Sequence, residues 1–192
     1  MFIKNWKREV LTVPNLLSLF RLLLIPVYVT IYRNASQPRD HFIAGTVLAV
    51  SCLTDAVDGK IARKFNQITN VGKLLDPFAD KATQFVLTIC LSLRYPVLNP
   101  VLVLFLLKEC FQLTACILNF RRGKMLPGAL PAGKVCTAVL FVSFITLVLF
   151  PNLDWRIVNA IAVLNAAFLL LSFISYILAY YGKNTKVQDV NF

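Results

Sequence analysis

Apolar residues run in six long blocks along this chain, and each block is divided from the next by charged residues, proline or glycine. About 20 apolar residues in a helix cross a bilayer. On that measure the first block spans Val13 to Tyr32 and the second His41 to Phe65. The third covers Lys73 to Leu93, the fourth Val97 to Phe120, the fifth Ala132 to Phe150 and the sixth Ile157 to Tyr181. Pro38, Pro96, Pro100, Pro127 and Pro151 fall at or near the joins, where a helix is expected to stop. The pattern predicts an all-α, polytopic integral membrane protein with six transmembrane helices in a single domain, residues 1–192. The first block contains Arg21 and Pro26 and lacks a small-x-small cleavage site, so it is expected to stay in the mature chain.

Composition sharpens this picture. Of 192 residues, 58% are hydrophobic and only 15% charged, against about 25% charged in ordinary soluble domains. That excludes a disordered chain, a disulfide-rich secreted fold and a cytosolic enzyme. The net charge of +11 raises the question of nucleic acid, but so apolar a chain has too little wet surface for a nucleic-acid face. The cations read instead as topology. Thirteen lie at the N-terminus, around the second-to-third and fourth-to-fifth joins, and in the tail. Four (Arg33, Arg39, Arg94, Arg156) lie on the other side. The bias places both termini and the two basic loops in the cytoplasm. The five cysteines lie in apolar stretches without CxxC spacing and are expected to be free thiols. His41, the only histidine, is expected at the outer interface rather than in a ligand role.

The acidic residues carry the chemistry. Five of the nine lie inside apolar blocks: Asp55, Asp58, Asp76, Asp80 and Glu109. An ionised side chain in a bilayer costs at least about 2.5–3.5 kcal/mol, so four aspartates within 26 residues call for something positive to neutralise them. On a helix advancing about 100° per residue, Asp55, Asp58, Gly59, Ala62 and Arg63 share an arc of about 140°. Asp76 and Asp80 are one turn apart on the next helix, with Gly72 a further turn back. Oxygen-only ligands select hard cations such as Mg²⁺, Ca²⁺ or Mn²⁺. Four carboxylates on two neighbouring helices suit two such ions about 3.5–4 Å apart, an arrangement used for phosphoryl transfer. The small residues leave room for a ligand, and Arg63 can pair with a phosphate.

The run Asp55-x2-Asp58-Gly59-x2-Ala62-Arg63-x8-Gly72-x3-Asp76-x3-Asp80 resembles the signature of the CDP-alcohol phosphatidyltransferases at every typed position and gap. The opening Pro14-Asn15-x2-Ser18-x2-Arg21 is similar to the family's first helix. The resemblance implies a homodimeric membrane enzyme of the CDP-alcohol phosphatidyltransferase fold, working at the inner leaflet of the cell membrane. It would cleave CDP-diacylglycerol, release CMP and pass the phosphatidyl group to an alcohol. Asp55, Asp58, Asp76 and Asp80 would hold two Mg²⁺ or Mn²⁺ ions, Gly59, Ala62, Arg63 and Gly72 would border the CDP-diacylglycerol, and Asp80 would be the general base.

For the acceptor, the chain looks most like the members that use glycerol 3-phosphate. Those carry Arg-Glu early in the fourth helix and Gly-Lys-x-Lys-Thr early in the fifth. Here the counterparts are Lys108-Glu109 and Gly133-Lys134-Val-Cys136-Thr137. Cysteine stands at 136, and again at 116, where a cation is expected. Lys134, Lys108, Thr137, Arg21 and Arg121 remain as acceptor-binding candidates. A cardiolipin synthase of the CDP-alcohol type, with phosphatidylglycerol as acceptor, is the alternative. A small cation transporter is a remote one, because the outer halves of the blocks (Ile25 to Tyr32, Ile43 to Val50, Phe85 to Leu93) offer no polar path.

Overall fold

The computed structural model describes residues 13–64, 70–121, 124–125, 130–181 and 188–189. Side chains at 13, 14, 38, 52, 53, 55–77 and 120, and in the two short strands, lie outside the described residues. The described chain is six long helices: α1 (Val13–Asn34), α2 (Pro38–Lys64), α3 (Asn70–Arg94), α4 (Asn99–Arg121), α5 (Pro131–Leu149) and α6 (Trp155–Tyr181). A 3₁₀ turn, Pro96–Leu98, precedes α4. The described strands form a two-residue antiparallel ladder of β1 (Lys124–Met125) and β2 (Gln188–Asp189), with Lys124 opposite Asp189. All six expected blocks are therefore helices. Among the described residues, four stretches are long and apolar enough to cross a membrane: Asn15–Asn34, Pro96–Asn119, Pro131–Leu149 and Trp155–Tyr181. Four of the six expected spans meet this measure, and much of α2 and α3 lies outside the described residues to which it applies.

The chain divides into two compact units. The first comprises Met1–Leu91 with Ile145–Asn152. In it α1 packs along α2. Tyr28 and Tyr32 stack at 5.5 Å, and His41 meets Tyr32 edge-on at 5.8 Å. His41 is buried, and it packs between α1 and α2 at the outer end of α2. Gly45 is needed because a Cβ there would collide with the Leu149 side chain. Asp40 starts α2: its Oδ2 accepts from the Ser36 and Gln37 backbone N–H groups, both at 3.0 Å. Those donors would otherwise be orphans of the helix start, and they hold the Asp40 carboxyl below the usual carboxylate range.

The second unit comprises Ser92–Phe144 with Leu153–Phe192. Here α4 packs along α6. Buried positions on α6 include Val158, Ala162, Asn165, Leu169, Ser172, Tyr176 and Ala179, alternately four and three residues apart, with Tyr180 buried beside the last. Those on α4 (Val101, Phe105, Lys108, Ala115, Asn119) follow the same spacing. Such seams bring helices together along their length, and Ala115, Ala162, Ser172 and Ala179 allow the close approach that drives association in lipid. Phe111 closes one end, edge-on to Phe173 at 5.2 Å. Asp154 caps α6, accepting from the Arg156 N–H at 2.9 Å. Outward faces carry Val103, Leu107, Leu113, Val142, Val163 and Leu171, each at least half exposed, as a lipid-facing surface requires.

Candidate active site

The aspartate motif lies wholly in the first unit. Asp55, Asp58, Gly59, Ala62 and Arg63 occupy the last turns of α2, and Gly72, Asp76 and Asp80 the first turns of α3. Both helices run unbroken through these positions, so the register that the spacing requires is present in the backbone. The side chains of Asp55, Asp58, Gly59, Ala62, Arg63, Gly72 and Asp76 lie outside the described residues. The Asp80 side chain is half-buried, as is its neighbour Lys81. Among the described residues there is no group of three or more His, Cys, Asp or Glu able to hold a metal ion. The motif's donor chemistry, four carboxylates on two helices joined by residues 65–69, fits a hard divalent cation.

One turn toward the helix middles the surroundings change. A shallow cleft is lined by Leu24, Tyr28, Val47, Ser51, Thr83 and Leu87, among others, from α1, α2 and α3. Ser51 stands four residues before Asp55, and Thr83 three after Asp80. Thr83 is turned into its own helix, its Oγ1 donating to the Ala79 carbonyl at 2.8 Å. On α1, Asn15, Ser18 and Arg21 are all at most 2% exposed. Their spacing of three sets the polar residues of the Pro14-Asn15-x2-Ser18-x2-Arg21 opening on one buried face, with Arg21 among them.

The remaining acceptor candidates lie in the second unit, apart from Arg21. Lys108 is buried in the α4 seam, and its Nζ donates to Glu109 Oε1 at 2.6 Å. The same ammonium lies 5.8 Å from the centre of the Tyr176 ring, within the range of a cation–π contact. Lys134 is exposed in the first turn of α5, and its N–H donates to the Leu130 carbonyl at 3.1 Å. Thr137 is half-buried on α5, and Arg121 is exposed at the end of α4. Neither expected cation position is charged. Cys136 is 1% exposed, and Cys116 is an exposed thiol. As expected, Cys90, Cys110, Cys116 and Cys136 are free thiols; Cys52 lies outside the described side chains. The contacts of Tyr176 with Lys108 and with the start of α5 are what sequence reasoning missed. The available clue was the four-residue spacing of Tyr176 from Tyr180.

Residues 11–181 match the CDP-alcohol phosphatidyltransferase family. The chain is 35% identical over 164 residues to the CMP-forming cardiolipin synthase of Streptomyces coelicolor, covering 83% of this chain and 75% of that one. It is 30% identical over 174 residues to the CDP-diacylglycerol–glycerol-3-phosphate 3-phosphatidyltransferase of Aquifex aeolicus, covering 88% and 95%. The enzyme of the same name from Escherichia coli K12 is 36% identical over 83 residues, 45% of its length.

Proposed function

The chain belongs to the CDP-alcohol phosphatidyltransferase family, a family of transferases, and we propose that it moves the phosphatidyl group of CDP-diacylglycerol onto glycerol 3-phosphate, releasing CMP. The observation that carries this reading is the complete aspartate signature set on two uninterrupted helices, α2 and α3. Asp55, Asp58, Asp76 and Asp80 would hold two Mg²⁺ or Mn²⁺ ions, whose charge would offset that of the diphosphate. Gly59, Ala62 and Gly72 leave space beside the carboxylates for the cytidine nucleotide, and Arg63 pairs with a phosphate oxygen. Asp80 takes the proton from the acceptor hydroxyl. Holding donor and acceptor in line supplies much of the remaining acceleration. The apolar cleft one turn above the motif suits the lipid end of the donor, which stays in the bilayer while the headgroup reacts at its surface. The Lys and Arg bias puts that surface, and both termini, on the cytoplasmic side of the cell membrane. The working unit is a homodimer.

Lys134, exposed at the start of α5, supplies positive charge for a phosphate-bearing acceptor, with Lys108, Thr137, Arg21 and Arg121 as further contacts. A second reading, phosphatidylglycerol as acceptor, is favoured by a specific set of observations. Cysteine stands at both positions where a cation is expected, Cys136 is buried, and the Lys108 charge is already matched by Glu109. A phosphodiester needs less positive charge than a phosphomonoester dianion. An acceptor panel separates the two. Purified protein with Mn²⁺ and CDP-diacylglycerol is given glycerol 3-phosphate, phosphatidylglycerol, serine or inositol phosphate, and CMP and lipid product are read together. Turnover with glycerol 3-phosphate supports the first reading. Turnover with phosphatidylglycerol alone replaces it by the second, and no CMP with any acceptor refutes both.

A further inference from the structure

Two of the sequence pairs assigned to the acceptor, Lys108-Glu109 and Gly133-Lys134, are 25 residues apart in the chain and sit on different helices. One side chain touches both. Tyr176 of α6 is 4% exposed, and its ring faces the Lys108 ammonium at 5.8 Å. Its hydroxyl accepts the Leu130 backbone N–H at 3.4 Å, across 46 residues of sequence. That bond fixes the entry to α5 one residue before the helix begins at Pro131. The same hydroxyl occupies the space a side chain at 133 would need. A Cβ there would lie 2.7 Å from the Tyr176 oxygen and 3.1 and 3.3 Å from two ring carbons. The glycine of the Gly133-Lys134 pair is therefore required by Tyr176, not by backbone conformation.

We propose that Tyr176 is a positioning residue for the acceptor, its ring and hydroxyl fixing Lys108 of α4 and the Gly133–Lys134 turn of α5 in one arrangement. The ring limits the directions open to an ammonium already held by Glu109. The hydroxyl anchors the turn from which Lys134 projects. Acceptor affinity then depends on a tyrosine that need not touch the acceptor. The proposal rests on the reading above, in which Lys108 and Lys134 contact the acceptor.

The test uses the full-length protein in detergent, with CMP release measured against donor and acceptor separately. Tyr176→Phe keeps the ring and removes the anchor, and acceptor KM is expected to rise about fivefold, the effect of one lost hydrogen bond. Tyr176→Leu removes the ring contact as well and is expected to raise it further. Donor KM and kcat are expected to stay within about twofold, the split that marks lost acceptor binding. Gly133→Ala should reproduce the rise, and adding Tyr176→Phe should relieve it in part by removing the closest atom. If Tyr176→Leu does not fold, the Phe and Gly133→Ala variants carry the test. Unchanged acceptor KM, or an equal rise in donor KM, overturns the proposal. A second readout needs no turnover. Amine labelling of Lys108, followed by mass spectrometry, should accelerate in Tyr176→Leu while Lys134 labels as in wild type, and an unaltered Lys108 rate also overturns it. Wild-type protein that releases no CMP would refute the proposed function, while the labelling would still judge the role of Tyr176.

Discussion

The α2–α3 segment and the α4–α6 seam handle charge in an apolar setting in opposite ways. Across α4, α5 and α6 there is one carboxylate, Glu109, and it lies 2.6 Å from a buried ammonium. The pair carries its own neutralisation, and the ring of Tyr176 covers the cation. The end of α2 and start of α3 instead concentrate four aspartates at helical spacing around a short join. Desolvating two like charges on one helix face is unfavourable at any effective dielectric found in proteins. On the proposed reading, bound cations offset that cluster. The contrast is between a cation paired within its own seam and a carboxylate cluster that the proposed metal ions would neutralise.

The contrast breaks most visibly at Asp76. Asp76→Asn keeps the helix but removes one ligand charge, and CMP release is expected to fall by about 10³-fold or more, with helical content by circular dichroism unchanged. Wild-type-like turnover would remove the metal reading. Next in size is Glu109→Gln, which leaves the Lys108 ammonium buried without its carboxylate. A loss of about 3 kcal/mol in stability is expected for breaking a buried pair, read as a lower thermal midpoint in detergent. An unchanged midpoint would mean that the pair is not what holds Lys108 in the seam. Lys134→Ala sharpens the comparison on the acceptor side. Acceptor KM should rise about tenfold, one rim cation's share, with the donor KM little altered; the reverse pattern would move Lys134 to the donor.

The smallest effect belongs to Asp40, at the opposite end of α2 from the aspartate cluster. Its carboxyl is held below the ordinary value by two backbone N–H groups. A depressed folded pKa contributes stability above the ordinary carboxylate pKa, and that contribution fades as pH falls through the folded value. The thermal midpoint of wild type should exceed that of Asp40→Asn at pH 7, and the gap should close on acidification. A gap independent of pH would contradict the assignment.

Much of this was legible in the sequence for a physical reason. Helices of this length announce themselves by apolarity, and each expected block begins within three residues of a helix found in the structure. Where the bounds differ, polar residues decide. The second helix begins at Pro38 rather than His41 because proline suits a first helical position and Asp40 binds the preceding N–H groups. Apolarity alone does not register that. The aspartate motif was equally legible, since its spacing is local and a helix converts spacing into a shared face. The role of Tyr176 was not, because it depends on contacts across 46 residues of chain and on an absent side chain at Gly133. The burial of Asn15, Ser18 and Arg21 was hidden likewise, as nothing in the run distinguishes a buried polar face from a wet one.

The measurement that bears most directly on the central claim is CMP release from CDP-diacylglycerol as divalent ions are removed and restored. With acceptor present, chelation of the wild-type protein should abolish release, and Mg²⁺ or Mn²⁺ should restore it. The Asp76→Asn protein should stay silent at every concentration that rescues wild type. Release that persists after exhaustive chelation would contradict the account, and the four aspartates would then need another explanation.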